Sequence, residues 1–433
     1  MMGNLFSRVV FASLTIAVAK LMHVEQYGAF SYAIAVISFA SYFCELGLQN
    51  TYLREVAGGT PDWRECTLTS FYMRCALFVI VCIAGFATLS SLNLAGETRR
   101  CIELMFAPGV FGLMLTSWVT GVLLSRSNAG ALCRARVAAA LMQMVCVSVA
   151  MLVPVPSSER VSVIALGYGV GLMTGGLFGI RAIPIHSFRI SLRRMKYFAA
   201  RLASGINAYL LSGFLYMLAP TIGVLILEKN AALAVVGTFA LASRVPQFLY
   251  TIPGSIGQAF YPKLFQATRE GRWHVWSDLL FKEVIFLLAV GLALSVTIVL
   301  SAPLIVVVLG HPGDPDYQLA LKTAVLIGAG VILIQSMSTP LGHALETAGL
   351  ARLRTVGQVF SLCTGGALFA ALGSKFGVSG AMTAAVTTEM VLYLAWVLLL
   401  TIRVQRVHLG NLLLPSLGAL GCVSVVGVTA WFL

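Results

Sequence analysis

Long apolar runs follow one another through almost the whole 433-residue chain, and they limit it to structures that can form inside a membrane. A helix needs about 20 mostly apolar residues to cross a bilayer, and thirteen stretches meet that requirement. Only 10% of the residues are charged, whereas a soluble domain carries about 25%. The sequence therefore predicts an all-α polytopic membrane protein.

The predicted spans are joined by short connections, so we expect no globular domain on either face. The first span also resembles a secretory signal, with Ala17-Val18-Ala19 as a cleavage site, but its counterpart later in the chain favours retention. The predicted limits are 2–20, 28–50, 67–91, 101–125, 132–153, 160–181, 199–227, 232–256, 279–309, 320–341, 355–373, 378–402 and 412–432.

Basic residues lie mostly on one predicted face. With Met1 in the cytoplasm, 22 of the 29 Lys and Arg residues fall on the cytoplasmic side. The positive-inside rule therefore predicts a cytoplasmic N-terminus. This orientation also accounts for the net charge of +13, which in a soluble chain would suggest nucleic acid. We expect no nucleic-acid partner.

The second and eighth predicted spans match at a shift of 209 residues. A shift of six spans preserves direction, which predicts two parallel lobes of six helices each. The matched pairs are Gly28 with Gly237, Phe30 with Phe239, Ala33 with Ala242, Phe39 with Phe248, Gln49 with Gln258, Tyr52 with Tyr261, and Arg54 with Lys263.

This repeat divides the chain into four predicted segments. They are an N-terminal lobe at 1–181, a basic cytoplasmic linker at 182–198, a C-terminal lobe at 199–402 and an additional C-terminal span at 403–433. The linker either only fixes the orientation or also binds anionic lipid headgroups, through Arg189, Arg193, Arg194 and Lys196.

Charged residues inside spans are costly, at about 2.5 to 3.5 kcal/mol each at a helix centre. They are therefore expected to face a water-filled cavity, although snorkelling to the cytoplasmic interface is an alternative for Arg8, Arg74 and Arg201. The arginines outnumber the carboxylates, and one guanidinium group can bind two phosphate oxygens at once. The charges therefore favour a cargo with a phosphate or pyrophosphate headgroup. The charged residues are Arg8, Glu45, Arg74, Arg201, Arg244 and Glu389.

A polar stripe follows the tenth span and contains Gln335, Thr339, His343 and Glu346. Its spacing suits either ordinary helix packing or the lining of a cavity. No catalytic constellation, metal-ligand spacing or cofactor motif occurs: the nine cysteines form no CxxC pair, and there is no GxxxxGK[ST] loop. We therefore expect no cofactor, no metal site and no enzymatic activity.

Several motifs, in order and spacing, resemble the Wzx-type polysaccharide flippases of the multidrug/oligosaccharidyl-lipid/polysaccharide exporter superfamily. The likeness covers most of the chain. Its motifs are Glu25-Gln26-Tyr27-Gly28, Phe30-Ser31-Tyr32-Ala33, Glu45-Leu46-Gly47-Leu48, Arg54-Glu55-Val56-Ala57, Ala242-Ser243-Arg244-Val245-Pro246 and Phe376-Gly377-Val378-Ser379-Gly380-Ala381.

The resemblance implies two six-helix lobes forming a V around a central cavity in the bacterial inner (plasma) membrane. It implies that undecaprenyl-pyrophosphate-linked oligosaccharide is moved to the outer leaflet for lipopolysaccharide or exopolysaccharide, alongside a polysaccharide polymerase and glycosyltransferases. From the location of these residues in the spans, the resemblance implies headgroup binding by Arg8, Arg54, Arg201 and Arg244. We add Arg74 to this set. Glu45 and Glu389 would balance charge or bind a coupling H+ or Na+.

Two alternatives remain open. One is an H+- or Na+-coupled small-molecule or multidrug exporter of the same fold. The other is a membrane polysaccharide polymerase, which typically needs a long outer loop carrying catalytic residues. Family members usually have twelve or fourteen spans, so the predicted thirteenth leaves the orientation of the C-terminus open.

Overall fold

The computed structural model describes residues 2–57, 62–92, 94–126, 128–183, 192–310 and 314–404. All regular secondary structure in these ranges is helical, which confirms the predicted all-α class. The helices are α1 (Met2–Leu21), α2 (Val24–Glu45), α3 (Leu48–Ala57), α4 (Trp63–Ser91), α5 (Gly96–Ser125), α6 (Ala129–Leu152), α7 (Ser157–Ile180), α8 (Leu192–Leu218), α9 (Ile222–Asn230), α10 (Leu233–Leu249), α11 (Thr251–Arg269), α12 (Trp273–Leu309), α13 (Pro315–Thr347) and α14 (Ala351–Arg403). The predicted span at 412–432 lies outside the described residues.

Nine helical segments in the described ranges are long and apolar enough to cross a membrane, as expected for a multi-pass membrane protein. Two predicted spans are not among them: the first, of which Val10–Leu21 is a shorter apolar helix, and the seventh, which corresponds to α8 and α9. The first half of α8 is amphipathic: Phe198 and Leu202 are buried, whereas Arg194, Lys196 and Arg201 are exposed. Its charged face lowers the apolar character that a spanning helix needs.

Residue contacts divide the chain into two compact units, Met1–Thr221 and Ile222–Leu433. Within the first unit α5 packs against α7 and α2, and α8 packs against α3 and α4. Within the second unit α13 packs against α10, α11, α12 and α14. By contact α8 therefore belongs to the first unit, whereas the predicted lobes place residues 199–221 in the second. The reason is its buried face, which joins a core with Leu48, Tyr52 and Trp118.

The helices keep the spacing of the predicted repeat. Helix α2 begins at Val24 and α10 begins at Leu233, which reproduces the 209-residue shift. The matched phenylalanines also pack alike, because Phe30 meets Tyr168 and Phe239 meets Phe369, each edge to face with ring centroids 5.5 Å apart. Each unit thus uses the repeated aromatic residue for the same kind of helix contact.

Helix α14 contains two antiparallel limbs that meet at Gly377. Trp396 Nε1 donates to the Arg354 carbonyl at 3.1 Å, and Ser361 Oγ donates to the Thr388 carbonyl at 2.7 Å. In a straight helix, residues 354 and 396 would be about 60 Å apart. Gly377 has φ 58° and ψ −133°, a conformation open essentially to glycine alone. The limbs correspond to the predicted spans 355–373 and 378–402.

Replacing Gly377 with alanine is expected to lower the free energy of unfolding by about 1–3 kcal/mol, because a Cβ strains this backbone conformation. Thermal unfolding in detergent micelles measures the change. Gly254→Ala is the matched control: Gly254 lies in α11, and a Cβ there would meet the Tyr250 ring at an ordinary 3.6 Å. Equal stability of the Gly377→Ala variant and the wild type would contradict the assigned reversal.

Candidate functional site

The quoted motif Glu45-Leu46-Gly47-Leu48 forms the break between α2 and α3. Leu46 and Gly47 take up left-handed conformations, with φ of 44° and 77°, and α3 then starts at Leu48. Leu48 and Tyr52 are buried, and the Tyr52 hydroxyl lies 2.8 Å from Thr67 Oγ1 of α4. These contacts fix the end of α3, where the next motif places Arg54 and Glu55.

Two of the predicted headgroup-binding residues, Arg54 and Arg201, meet at the Glu55 carboxylate. Arg54 Nη2 lies 3.9 Å from Oε1, and Arg201 Nη2 lies 2.8 Å from Oε2. Arg201 Nη1 also donates to the Tyr197 hydroxyl at 2.9 Å. We call Arg54, Glu55, Tyr197 and Arg201 the Glu55 cluster.

The Glu55 cluster combines a shielded carboxylate with accessible cations. The Glu55 side chain is 10% exposed, whereas those of Arg54 and Arg201 are 50% and 45% exposed. Helix α8 comes close to α3 at Gly205, where a Cβ would lie 2.6 Å from Arg54 Nη2. With two guanidinium groups and one carboxylate, the cluster carries one net positive charge on the first unit.

Arg74 is enclosed in the first unit, with 1% of its surface exposed. Its Nε and Nη1 have no hydrogen-bond partner in the described part of the chain, and the Glu45 carboxylate is the acidic group whose charge acts on it. In this arrangement the Arg74 side chain does not reach the protein surface, because it lies one turn after Ser70 on the buried face of α4. Direct headgroup contact by Arg74 requires another arrangement of these helices.

The remaining predicted residues are distributed over both units. Arg8 lies in α1, and its side chain is outside the described part of the structure. In the second unit, Arg244 is half-buried in the C-terminal half of α10, near the middle of the predicted span 232–256. Glu389 is half-buried on the second limb of α14 and accepts a hydrogen bond from Gln335 Nε2 at 2.8 Å.

The polar stripe of α13 packs against its neighbouring helices in the second unit. Besides the Gln335 contact, Thr339 Oγ1 lies 2.8 Å from the Tyr250 hydroxyl, and Glu346 pairs with Arg354. His343 Nδ1 lies 2.8 Å from Oε1 of Glu283, a fully buried carboxyl group of α12. Each residue of the stripe therefore contacts a neighbouring segment of the second unit.

Sequence reasoning missed Glu55 and Glu283 as site residues. Glu55 was quoted only as part of a motif, and its contact with Arg201 joins distant parts of the chain. For Glu283 a signal existed, because it shares a helical spacing with the apolar residues Trp276, Leu280 and Leu287. A carboxylate on such a face predicts a buried polar partner.

Part of the predicted linker contributes to ion pairing in the first unit. Arg194 Nη1 lies 3.2 Å from Asp62 Oδ1 and 3.0 Å from Glu65 Oε1, at the start of α4. Residues 184–191, which include Arg189, lie outside the described ranges. Within those ranges, no group of three His, Cys, Asp or Glu residues is placed to hold a metal ion.

No protein-family model matches the chain, and a search of curated proteins finds no match. The solved structures do include similar folds. A lipid II flippase, MurJ, in an inward closed conformation is 12% identical, with 100% of this chain and 96% of that chain covered and a TM-score of 0.71.

Two further transporters are similar in structure. An inward-facing multidrug resistance MATE family transporter of the MOP superfamily is 14% identical, with 98% of this chain and 96% of that chain covered and a TM-score of 0.71. A MOP superfamily transporter from Pyrococcus furiosus is 15% identical, with 93% and 94% covered and a TM-score of 0.65. The chain therefore has the fold seen in transporters of the MOP superfamily.

Proposed function

We propose that the protein is a flippase that moves undecaprenyl-pyrophosphate-linked oligosaccharide from the cytoplasmic to the outer leaflet of the bacterial inner membrane. The observation that carries the proposal is the convergence of Arg54 and Arg201 on the single carboxylate of Glu55. Lipopolysaccharide or exopolysaccharide synthesis would use the product, with glycosyltransferases and a polysaccharide polymerase as partners.

The geometry of the Glu55 cluster suits an anion that carries more charge than one carboxylate. Both guanidinium groups are half-exposed, so incoming phosphate oxygens can reach them while Glu55 stays shielded. Guanidinium groups bind phosphate through paired, charge-assisted hydrogen bonds. In this proposal Glu55 holds the two arginines until a pyrophosphate replaces it as their partner.

One of the similar folds supports a lipid-linked cargo, and the others are named for different functions. One similar structure is named a lipid II flippase and another a multidrug resistance transporter. In the transporter from Pyrococcus furiosus, the reverse polarity of the binding pocket suggests a different function for that protein. The charge of the binding site is therefore the feature that should distinguish cargoes within this fold. In this chain the Glu55 cluster carries a net positive charge.

The remaining predicted residues have supporting roles in this proposal. Arg8 and Arg244 would contact the headgroup, and Arg74 would join them only after its helix shifts. Glu45 would balance the charge of Arg74, and Glu389 would balance charge in the second unit. Alternating access of two six-helix lobes around a central cavity, with the N-terminus in the cytoplasm, would carry the headgroup past the hydrocarbon, where an unpaired charge is prohibitively costly.

Reconstitution into liposomes tests the proposed cargo. Three probes are compared: undecaprenyl-pyrophosphate-linked oligosaccharide with a fluorescent sugar, undecaprenyl pyrophosphate alone, and the organic cation ethidium. We expect protein-dependent movement of the fluorescent lipid between leaflets, inhibition by undecaprenyl pyrophosphate, and no ethidium transport. Ethidium transport without any response to the lipid would overturn the proposal in favour of the multidrug exporter.

A further inference from the structure

Glu283 places a carboxyl group inside the apolar packing of the second unit. It is fully buried on the face of α12 that also carries Leu280, Val284 and Leu287. Such a group is costly to bury unless a specific partner compensates for it. Its Oε1 lies 2.8 Å from His343 Nδ1 of α13, whereas Oε2 has no hydrogen-bond partner in the described ranges.

His343 gives this carboxyl group a route to water. The imidazole is 18% exposed, compared with 0% for Glu283. Its ring meets the Tyr261 ring of α11 at a centroid distance of 5.2 Å. In the predicted topology Glu283 lies near the cytoplasmic end of the span 279–309, and His343 lies just beyond the cytoplasmic end of the span 320–341. Protons from that side would therefore reach the histidine first.

The other charged groups of the neighbouring helices are already paired or point elsewhere. On α14, Arg354 pairs with Glu346 of α13, and Lys282 of α12 reaches out to Asp278 at 2.7 Å. Lys263 of α11 is exposed, and Tyr250, which lies between α10 and α11, contacts Thr339. No described cation therefore stands beside Glu283 except a protonated His343.

The pair is neutral as a whole when it holds one proton beyond the single N–H of a neutral imidazole, either as imidazolium with carboxylate or as neutral imidazole with a protonated carboxyl group. Loss of the proton would leave one net negative charge in a buried site, and such a charge is strongly disfavoured. Because Glu283 and His343 join α12 to α13, loss of the proton would weaken the contact between these two helices.

We propose that Glu283 and His343 form a proton-binding site through which a proton gradient drives the transporter. This inference rests on the proposed flippase function and names H+ as its coupling ion. For coupling by one proton, a gradient of one pH unit changes the steady-state leaflet distribution of the fluorescent lipid about tenfold. For Glu283→Gln and His343→Asn the distribution is expected to be the same with and without the gradient.

The control is Asp278→Asn, the same acid-to-amide change at an exposed position of α12, which should keep the tenfold response. A second measurement does not depend on transport by the variants. Infrared spectroscopy of the liposome-embedded wild type during a pH titration should show a carboxyl C=O band, and this band should be absent in Glu283→Gln. An undiminished gradient response in Glu283→Gln, or a titrating band that this variant retains, would overturn the proton site. Absence of lipid movement in the wild type would instead reject the flippase function, and the infrared titration would still decide on the site.

Discussion

The double variant Arg54→Ala/Arg201→Ala is expected to move the fluorescent lipid-linked oligosaccharide at least about tenfold more slowly than the wild type, because two charge-assisted contacts to phosphate are lost. The measurement is the initial rate of leaflet exchange in liposomes containing equal amounts of folded protein. The matched control is Arg99→Ala in the same unit. Arg99 is 43% exposed and pairs with Glu103 at 2.8 Å, so this variant removes a similar ion-paired arginine from outside the Glu55 cluster.

Replacing Glu55, by contrast, should strengthen binding of the headgroup. Glu55→Gln keeps the shape of the side chain but removes the negative charge that competes with the headgroup. Affinity for undecaprenyl pyrophosphate is expected to rise about fivefold, which corresponds to one unit charge about 4 Å away in surroundings of high dielectric constant. Unchanged affinity together with a normal exchange rate in the double variant would exclude the cluster from headgroup binding.

The architecture within each unit was largely predictable because apolar length and turn residues are local properties. The spans at 355–373 and 378–402 are a good example. Gly377, the break between them, stands where the chain reverses, and the helix contacts on either side follow from that reversal. The 209-residue shift likewise anticipated the common start of α2 and α10.

The site was less predictable because it depends on contacts between distant segments. Arg201 was identified as a costly charge inside a span, but periodicity gives no sign that it pairs with Glu55. The position of α8 was not predictable for a related reason, since its apolar face packs on α3 and α4 of the first unit. Arg74 was expected to face a cavity or to snorkel to the interface. In the structure it lies on the buried face of α4, with 1% of its surface exposed.

The variant Arg244→Ala is expected to reduce lipid exchange to the background of protein-free liposomes while the amount of protein in the membrane stays normal. Arg244 is half-buried near the middle of the predicted span 232–256, and the buried Pro246 follows two residues later in α10. A charge at a helix centre opposes insertion by about 2.5 to 3.5 kcal/mol, so its removal should not impair assembly. Loss of exchange with a normal amount of protein would therefore assign Arg244 to transport rather than to assembly.

Two further variants separate charge from geometry at this position. Arg244→Lys keeps the positive charge but loses the planar fork that binds two phosphate oxygens at once, so an intermediate exchange rate is expected. Arg272→Ala is the control in the same unit, because Arg272 is 50% exposed and pairs with Glu270 outside the predicted spans. A normal exchange rate in Arg244→Ala would remove Arg244 from the mechanism and leave headgroup recognition to the Glu55 cluster of the first unit.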